Sequence, residues 1–232
     1  MPNFDPTSAS RAVLIEVMNV LGAFRDKIVL IGGWVPDLLY PNSGHIGSLD
    51  VDLAVSQIAI GSNAYETILK RMIEAGYEHH ASPTRFTKTV AGVKEPVKVD
   101  LIGGQYVAGE KTQTIQVNEL GLNTLRGIDL AFEVCQNLQI SGMMPDGSQN
   151  TVQIRIVLPE GYILIKAFGV FSSGPLLSGT KGFFCSCCGM LVTLVVQQPK
   201  FPSFWNIALF WNSDPSEFMK SWRLPIMFKG NS

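Results

Sequence analysis

Three aspartates and a pair of glycines carry the chemistry that can be read from this chain. Asp50 and Asp52 stand two residues apart in "GSLDVDLAV", residues 47–55, and Asp100 lies in "VKVDLI", residues 97–102. In a strand, residues two apart point to the same face. Leu49, Val51 and Leu53 are therefore expected to face a core while Asp50 and Asp52 look together the other way. The same parity sets Val97, Val99 and Leu101 against Lys98 and Asp100, so that neighbouring strands would bring the third carboxylate beside the first two. Like charges at that spacing raise one another's energy, and a divalent cation is the usual answer. Three carboxylates around two magnesium ions suit phosphoryl or nucleotidyl transfer: one ion lowers the pKa of an attacking hydroxyl, the other holds a triphosphate and its leaving oxygen. Asp100, on its own strand, is then the general base or the ligand nearest that hydroxyl. Gly32 and Gly33, which end the apolar run "KIVLI", have no Cβ and let the backbone approach phosphate oxygens closely. Their amides, with a helix starting behind them, favour negative charge. Each part alone has a plainer reading, as a solvated strand face or an ordinary turn; their order and strand contexts together point to a metal site.

The elements that must position these residues follow from periodicity. Leu14, Val17, Met18 and Leu21 recur at helical spacing and predict a helix over 9–24, capped by Ser8 or Ser10. "KIVLI" and residues 50–54 read as strands, with "WVPDLLY" between them a short helix that tolerates Pro36 only in its first turn. Tyr65, Ile68, Leu69, Met72 and Ile73 form a second helical stripe, capped by Ser62 in front and closed by Gly76 behind. "TRFTKTVAG" and "VKVDLIGG" read as paired strands, a β-leaning stretch runs to about residue 157, and Pro159 opens a helix in "LPEGYILIKAFGV". Helices alternating with strands and then a run of strands predict an α/β (α+β) fold: a mixed sheet flanked by helices.

Composition bounds the rest. A chain of 232 residues, 46% hydrophobic and 16% charged, reads as globular. A net charge of −1 supplies no global field for a nucleic acid, although a local cleft can still be positive. The start "MPNFDPTSAS" does not read as a secretory signal, and three of the four cysteines crowd into "CSCC" without the spacing of a disulfide framework, so a reducing cytoplasm is expected. The apolar run Gly182–Val196, 15 residues, falls short of the roughly 20 that span a bilayer. Composition shifts near residue 168: residues 168–232 hold 12 of the 22 aromatics, nine Phe and three Trp, but only two acids, Asp214 and Glu217. That segment reads either as an aromatic-rich second domain or as a tail in which the frame or sequence is disrupted.

The pattern "GGW…GSLDVDLAV" followed by "VKVDLI" resembles the DNA polymerase β-type nucleotidyltransferase superfamily, and within it the AbiEii-type abortive-infection toxins of bacterial toxin–antitoxin systems. "LPEGYILIKAFGV" is similar to their later motif, a Pro-Glu opening a helix that carries a lysine, here Lys166. The resemblance covers roughly residues 10–168 and implies a nucleotidyltransferase-like domain over 1–167. It implies that Gly32, Gly33 and Lys166 hold the triphosphate, that Asp50 and Asp52 bind magnesium, and that Asp100 completes the metal-binding, catalytic triad. The implied reaction moves a nucleoside monophosphate from an NTP to an acceptor hydroxyl, on the 3′ end of tRNA or on a protein, with a cognate antitoxin as partner and no membrane. Two features depart from the toxin pattern. Trp34 replaces a small hydroxyl residue, and Gly-Gly-Trp followed by Asp37 also resembles antibiotic nucleotidyltransferases, which makes a small-molecule acceptor the enzymatic alternative. The toxins' basic residue and Lys-Asp pair beyond the lysine helix have no counterpart in "FSSGPLLSGTKGFFCSCC", which leaves an inactive, binding-only copy as the alternative from another class.

The remaining polar residues have two readings each. His79, His80 and His45 are either phosphate or substrate contacts or plain exposed histidines; Trp34 stacks on a base or packs in the core. Lys98 and Arg85 bind triphosphate or RNA backbone, or are solvated strand positions. Cys185, Cys187 and Cys188 lack the gap and partner histidines of a zinc site.

Overall fold

The computed structural model describes residues 3–41, 44–56, 62–80, 85–104, 114–117, 120–125, 127–172, 180–185, 190–195, 204–209 and 222–227. For 62–65, 114–117, 120–121 and those from 167 onward it describes the course of the backbone only. The chain divides into two compact units, Met1–Ser173 and Gly174–Ser232.

The first unit opens with helix α1 (Pro6–Val20). It starts earlier than its apolar spacing predicts because Asp5 caps it, accepting from the amides of Thr7 and Ser8, with Pro6 fixed in its first turn. Ser10, an expected cap, is buried and turns its hydroxyl inward instead. A 3₁₀ stretch, Gly22–Lys27, leads into β1 (Ile28–Ile31), all four residues of which are buried. Then come α2 (Trp34–Leu39), β2 (Asp50–Val55), α3 (Ser62–Glu74), β3 (Glu78–His80), β4 (Arg85–Lys88) and β5 (Val97–Gly104). They are followed by β6 (Thr114–Val117), β7 (Leu120–Leu125), α4 (Leu130–Glu133), β8 (Cys135–Met143), β9 (Gln149–Val157) and α5 (Pro159–Ser172).

The nine strands form one mixed sheet in the order β3-β4-β5-β2-β1-β9-β8, with β7 also on β5 and β6 on β7. β1 runs antiparallel to β2, and β2 parallel to β5, so the mixed α/β sheet expected from the element order is the one observed. β5 meets β2 on one side and shares its other side between β4, opposite residues 97–100, and β7, opposite residues 102–104. Helix α1 packs against β2, β5, β8 and β9, while α5 packs on α2 and α4. Val51, Leu53, Ala54 and Val55 are buried, which is the burial of a central strand covered on both faces, and only the Asp50 end of β2 opens outward.

Two apolar expectations are corrected. Leu49 was expected to face the core with Val51, yet it lies before β2 begins and is 63% exposed. Ile73 is 52% exposed, because the buried stripe of α3 is carried by Ile68 and Met72 one turn apart. Gly76, at φ +79°, closes α3 as expected, its amide donating to the Ile73 carbonyl at 2.9 Å. The side chains of Ser62 and Tyr65, also expected to serve this helix, lie outside the described residues.

The second unit contains two antiparallel pairs, β10 (Thr180–Cys185) with β11 (Met190–Val195) and β12 (Phe204–Leu209) with β13 (Trp222–Met227). The described parts of the apolar run from Gly182 are thus strand, 182–185 in β10 and 190–195 in β11, and no helix among the described residues is long and apolar enough to cross a membrane. The side chain of Cys185, and Cys187 and Cys188 altogether, lie outside the described residues.

One charged cluster ties α1 to the β3–β4 hairpin. The Tyr77 hydroxyl donates to Glu16 Oε2 at 2.6 Å, Lys88 Nζ lies 3.3 Å from the same oxygen, and the ammonium also donates to the Ala75 carbonyl. Burial, with the Glu16 carboxylate next to it, pushes the Tyr77 phenol well above its ordinary pKa. Tyr77→Phe removes a hydrogen bond to a charged acceptor while leaving Glu16 with Lys88, so urea unfolding should show a loss of about 1–2 kcal/mol with an unchanged m-value.

Candidate active site

β2 and β5 lie side by side in parallel register with Asp52 opposite Asp100 and Asp50 opposite Lys98. The antiparallel partner β1 places Ile31 opposite Asp52, so the turn that follows, Gly32-Gly33, sits beside the same carboxylate. The structure therefore brings together Asp50, Asp52, Asp100, Gly32 and Gly33 in the arrangement expected from strand parity. Lys166, on α5, is exposed, with its ammonium 5.7 Å from the centre of the Tyr162 ring. It is also near enough to Asp52 to favour that carboxylate's charged form.

Both glycines have a local reason to be glycine. Gly32 has φ +77°, and a Cβ on it would overlap the Asp52 carboxylate. A Cβ on Gly33 would fall 2.6 Å from Ser48 Oγ. Ser48 in turn donates to Asp50 Oδ1 at 2.6 Å. The turn is packed against the Asp52 carboxylate and, through Ser48, next to Asp50, and Gly33 leads into α2, whose first turn holds Pro36 as expected.

Several partners were not legible in the motif. Trp34 is buried, and its indole donates to Ser10 Oγ at 3.0 Å, while the Ser10 hydroxyl lies 3.5 Å from the Asp50 carbonyl. Trp34 is thus a core residue that helps to fix α1 against the start of β2, and the base-stacking role considered for it is excluded by its burial. Arg85, expected to bind triphosphate or RNA backbone or to be a solvated strand position, pairs with Asp100 across β4 and β5. Its Nε donates to Oδ1 at 2.7 Å and a terminal nitrogen donates to Oδ2 at 2.8 Å, a bidentate pair. Those hydrogen bonds push the guanidinium pKa up, with Asp50 and Asp52 adding to the effect. The histidines have local partners: His79 packs on Phe86 with ring centroids 5.0 Å apart and planes tilted by 37°, His80 Nε2 shares a hydrogen bond with Thr87, and His45 Nδ1 accepts from the Gly47 amide. Lys98 is exposed.

The electrostatics centre on Asp52. Burial, reinforced by the Asp50 charge and, less strongly, by Asp100, raises its pKa from 3.8 to about 6, against the opposing pull of Lys166 and Arg85. Three carboxylates are a donor set that suits a hard cation, and the strained protonation of Asp52 is what such an ion would relieve. Asp50 and Asp52 fit that role. Asp100 already has a guanidinium on both oxygens, and among the described residues no group of three or more His, Cys, Asp or Glu is arranged to hold a metal ion. No family model, no curated protein and no solved structure matches the chain.

A raised carboxylate pKa in the folded state contributes stability that is complete below 3.8 and is lost as pH climbs through about 6. In the absence of divalent ions, Asp52→Asn should therefore stabilise the protein at neutral pH, by on the order of 3 kcal/mol at most, and the gain should shrink as pH falls through that window. Thermal unfolding in EDTA across that pH range checks it; an unchanged or lower Tm at neutral pH would contradict the assignment.

Proposed function

We propose that the chain is a magnesium-dependent nucleotidyltransferase that moves a nucleoside monophosphate from an NTP to an acceptor hydroxyl. The observation that carries this reading is the register of β2 and β5, which sets Asp52 opposite Asp100 with Asp50 on the same face, beside the Gly32-Gly33 turn. Asp50 and Asp52 would hold magnesium, whose role when bound is to neutralise the triphosphate and activate the attacking oxygen. The backbone at Gly32 and Gly33 and the ammonium of Lys166 bind and orient the phosphates. Asp100, as base, takes the proton from the acceptor hydroxyl, or, as third ligand, would help hold the ion that lowers that hydroxyl's pKa so that the proton passes to solvent. The bond formed joins acceptor oxygen to the α-phosphorus, and the bond broken, between the α-phosphorus and its bridging oxygen, releases pyrophosphate. An AbiEii-like toxin acting on tRNA or a protein, held in check by an antitoxin, is the branch the motif order favours, in the reducing cytoplasm where NTPs and tRNA occur. A small-molecule acceptor is the alternative within the same chemistry.

A second reading is supported by the Arg85 pair. With both oxygens of Asp100 engaged, the same fold can bind nucleotide or a partner protein without turning over.

Purified protein, magnesium and each α-labelled NTP, offered separately to total tRNA, a protein extract and an aminoglycoside, test these readings. Label should enter one acceptor and fall by about 10²-fold or more in Asp52→Ala, the loss of several kcal/mol of charge stabilisation. Magnesium-dependent NTP binding with no transfer to any acceptor would favour the binding module, and transfer that survives Asp52→Ala would remove the mechanism.

A further inference from the structure

Arg85 is not simply one more basic residue at the edge of a cleft. It stands directly opposite Asp100 in the β4–β5 register, and its planar fork meets both carboxylate oxygens at 2.7 and 2.8 Å. The pair is mostly withdrawn from water, with side-chain exposures of 34% for Arg85 and 12% for Asp100, so solvent screens it only in part. Asp50 and Asp52 differ: Asp50 accepts from the neutral Ser48 hydroxyl, and among the described residues neither forms a salt bridge. The three carboxylates therefore divide into one that is neutralised within the chain and two that are not.

A cation on Asp100 would have to share its oxygens with a guanidinium already within hydrogen-bond distance of them, and the two positive charges would repel at close range. A divalent ion on Asp50 and Asp52 meets no cation in salt-bridge contact with either carboxylate among the described residues, Lys166 and Arg85 acting on Asp52 only at longer range, and it matches the two charges left over. We propose that Arg85 stands in for one of the two metal ions expected at this site, so that the nucleotide-free protein binds a single divalent cation, on Asp50 and Asp52, with Asp100 outside its coordination. This rests on the nucleotidyltransferase reading and changes it from a two-ion resting site to a one-ion site with a built-in organic cation. Asp100 then becomes free for the acceptor hydroxyl only when Arg85 leaves it, and an arriving triphosphate is an anion able to draw the guanidinium away.

Manganese, which is paramagnetic and takes oxygen ligands, gives a direct count. The full chain, stripped with EDTA, is titrated with Mn²⁺ at neutral pH without nucleotide, and the free ion is followed by its spin-resonance signal. Wild type should bind one ion. Asp100→Asn should bind the same single ion, since Asp100 is not its ligand, whereas Arg85→Gln should bind two because Asp100 is released. Two ions in the wild type, a lost ion in Asp100→Asn, or one ion in an Arg85→Gln protein that keeps its far-ultraviolet circular dichroism would each overturn the proposal while leaving a metal-dependent transferase standing. No Mn²⁺ on any of the three without nucleotide would overturn the proposal, and no Mn²⁺ on the wild type even after an NTP is added would overturn the reading beneath it as well. If Arg85→Gln does not fold, the wild-type and Asp100→Asn counts decide between the outcomes.

Discussion

Three carboxylates on two adjacent strands repel one another, and the surrounding structure is arranged around that repulsion. It is answered in three ways. Arg85 neutralises Asp100 outright, Ser48 gives Asp50 a hydrogen bond, and Asp52 is left buried with only the longer-range pull of Lys166 and Arg85 in favour of its charge. The residue with the least help has the most perturbed protonation, as expected where desolvation and like charge act together. Such concentrations of unfavourable charge tend to persist where function requires them.

The scaffold around the carboxylates is tied together by a few specific contacts. α1 serves two clients at once. Through Ser10 it meets the Trp34 indole and the carbonyl of Asp50, and through Glu16 it meets Tyr77 and Lys88 of the β3–β4 hairpin. The strand that carries two acids and the strand that carries their arginine are thus fixed to one helix. The glycine turn is fixed by the reverse logic, since Asp52 and Ser48 occupy the space where side chains at 32 and 33 would lie.

Much of this was legible from residue order. Alternation of acid and aliphatic residues in "LDVDLAV" was enough to put Asp50 and Asp52 on one face of their strand, and in "VKVDLI" to set Asp100 opposite the aliphatic face of its own, because a strand has a period of two. What parity cannot reveal is which strands are neighbours and in what register, and there the reading stopped short. Arg85 alternates with Phe86 in "TRFTK", which marks a face but not a partner; its pairing with Asp100 comes only from the antiparallel register of β4 on β5. Trp34 stayed open between two roles for a related reason: beside a glycine turn an aromatic is equally suited to a ligand or a core, and only packing decides for the core. At Leu49 the period was extended one residue past the strand's true start. At α1 the apolar spacing marked the buried face correctly, while the start was set by Asp5 and Pro6, which are not part of that spacing.

The Arg85–Asp100 pair also has a bearing on how the sheet assembles. β4 is a strand of four residues, with only β3 outside it, and a strand so short has little backbone pairing to choose its alignment. A slip of one position against β5 would turn Arg85 toward the interior now filled by Phe86 and lift Phe86 out of the core, separating a charge from its partner and exposing an aromatic in the same movement. Two adjacent residues therefore penalise every odd misalignment twice over, and the correct pairing of a marginal edge hairpin is encoded in the side chains of Arg85 and Phe86.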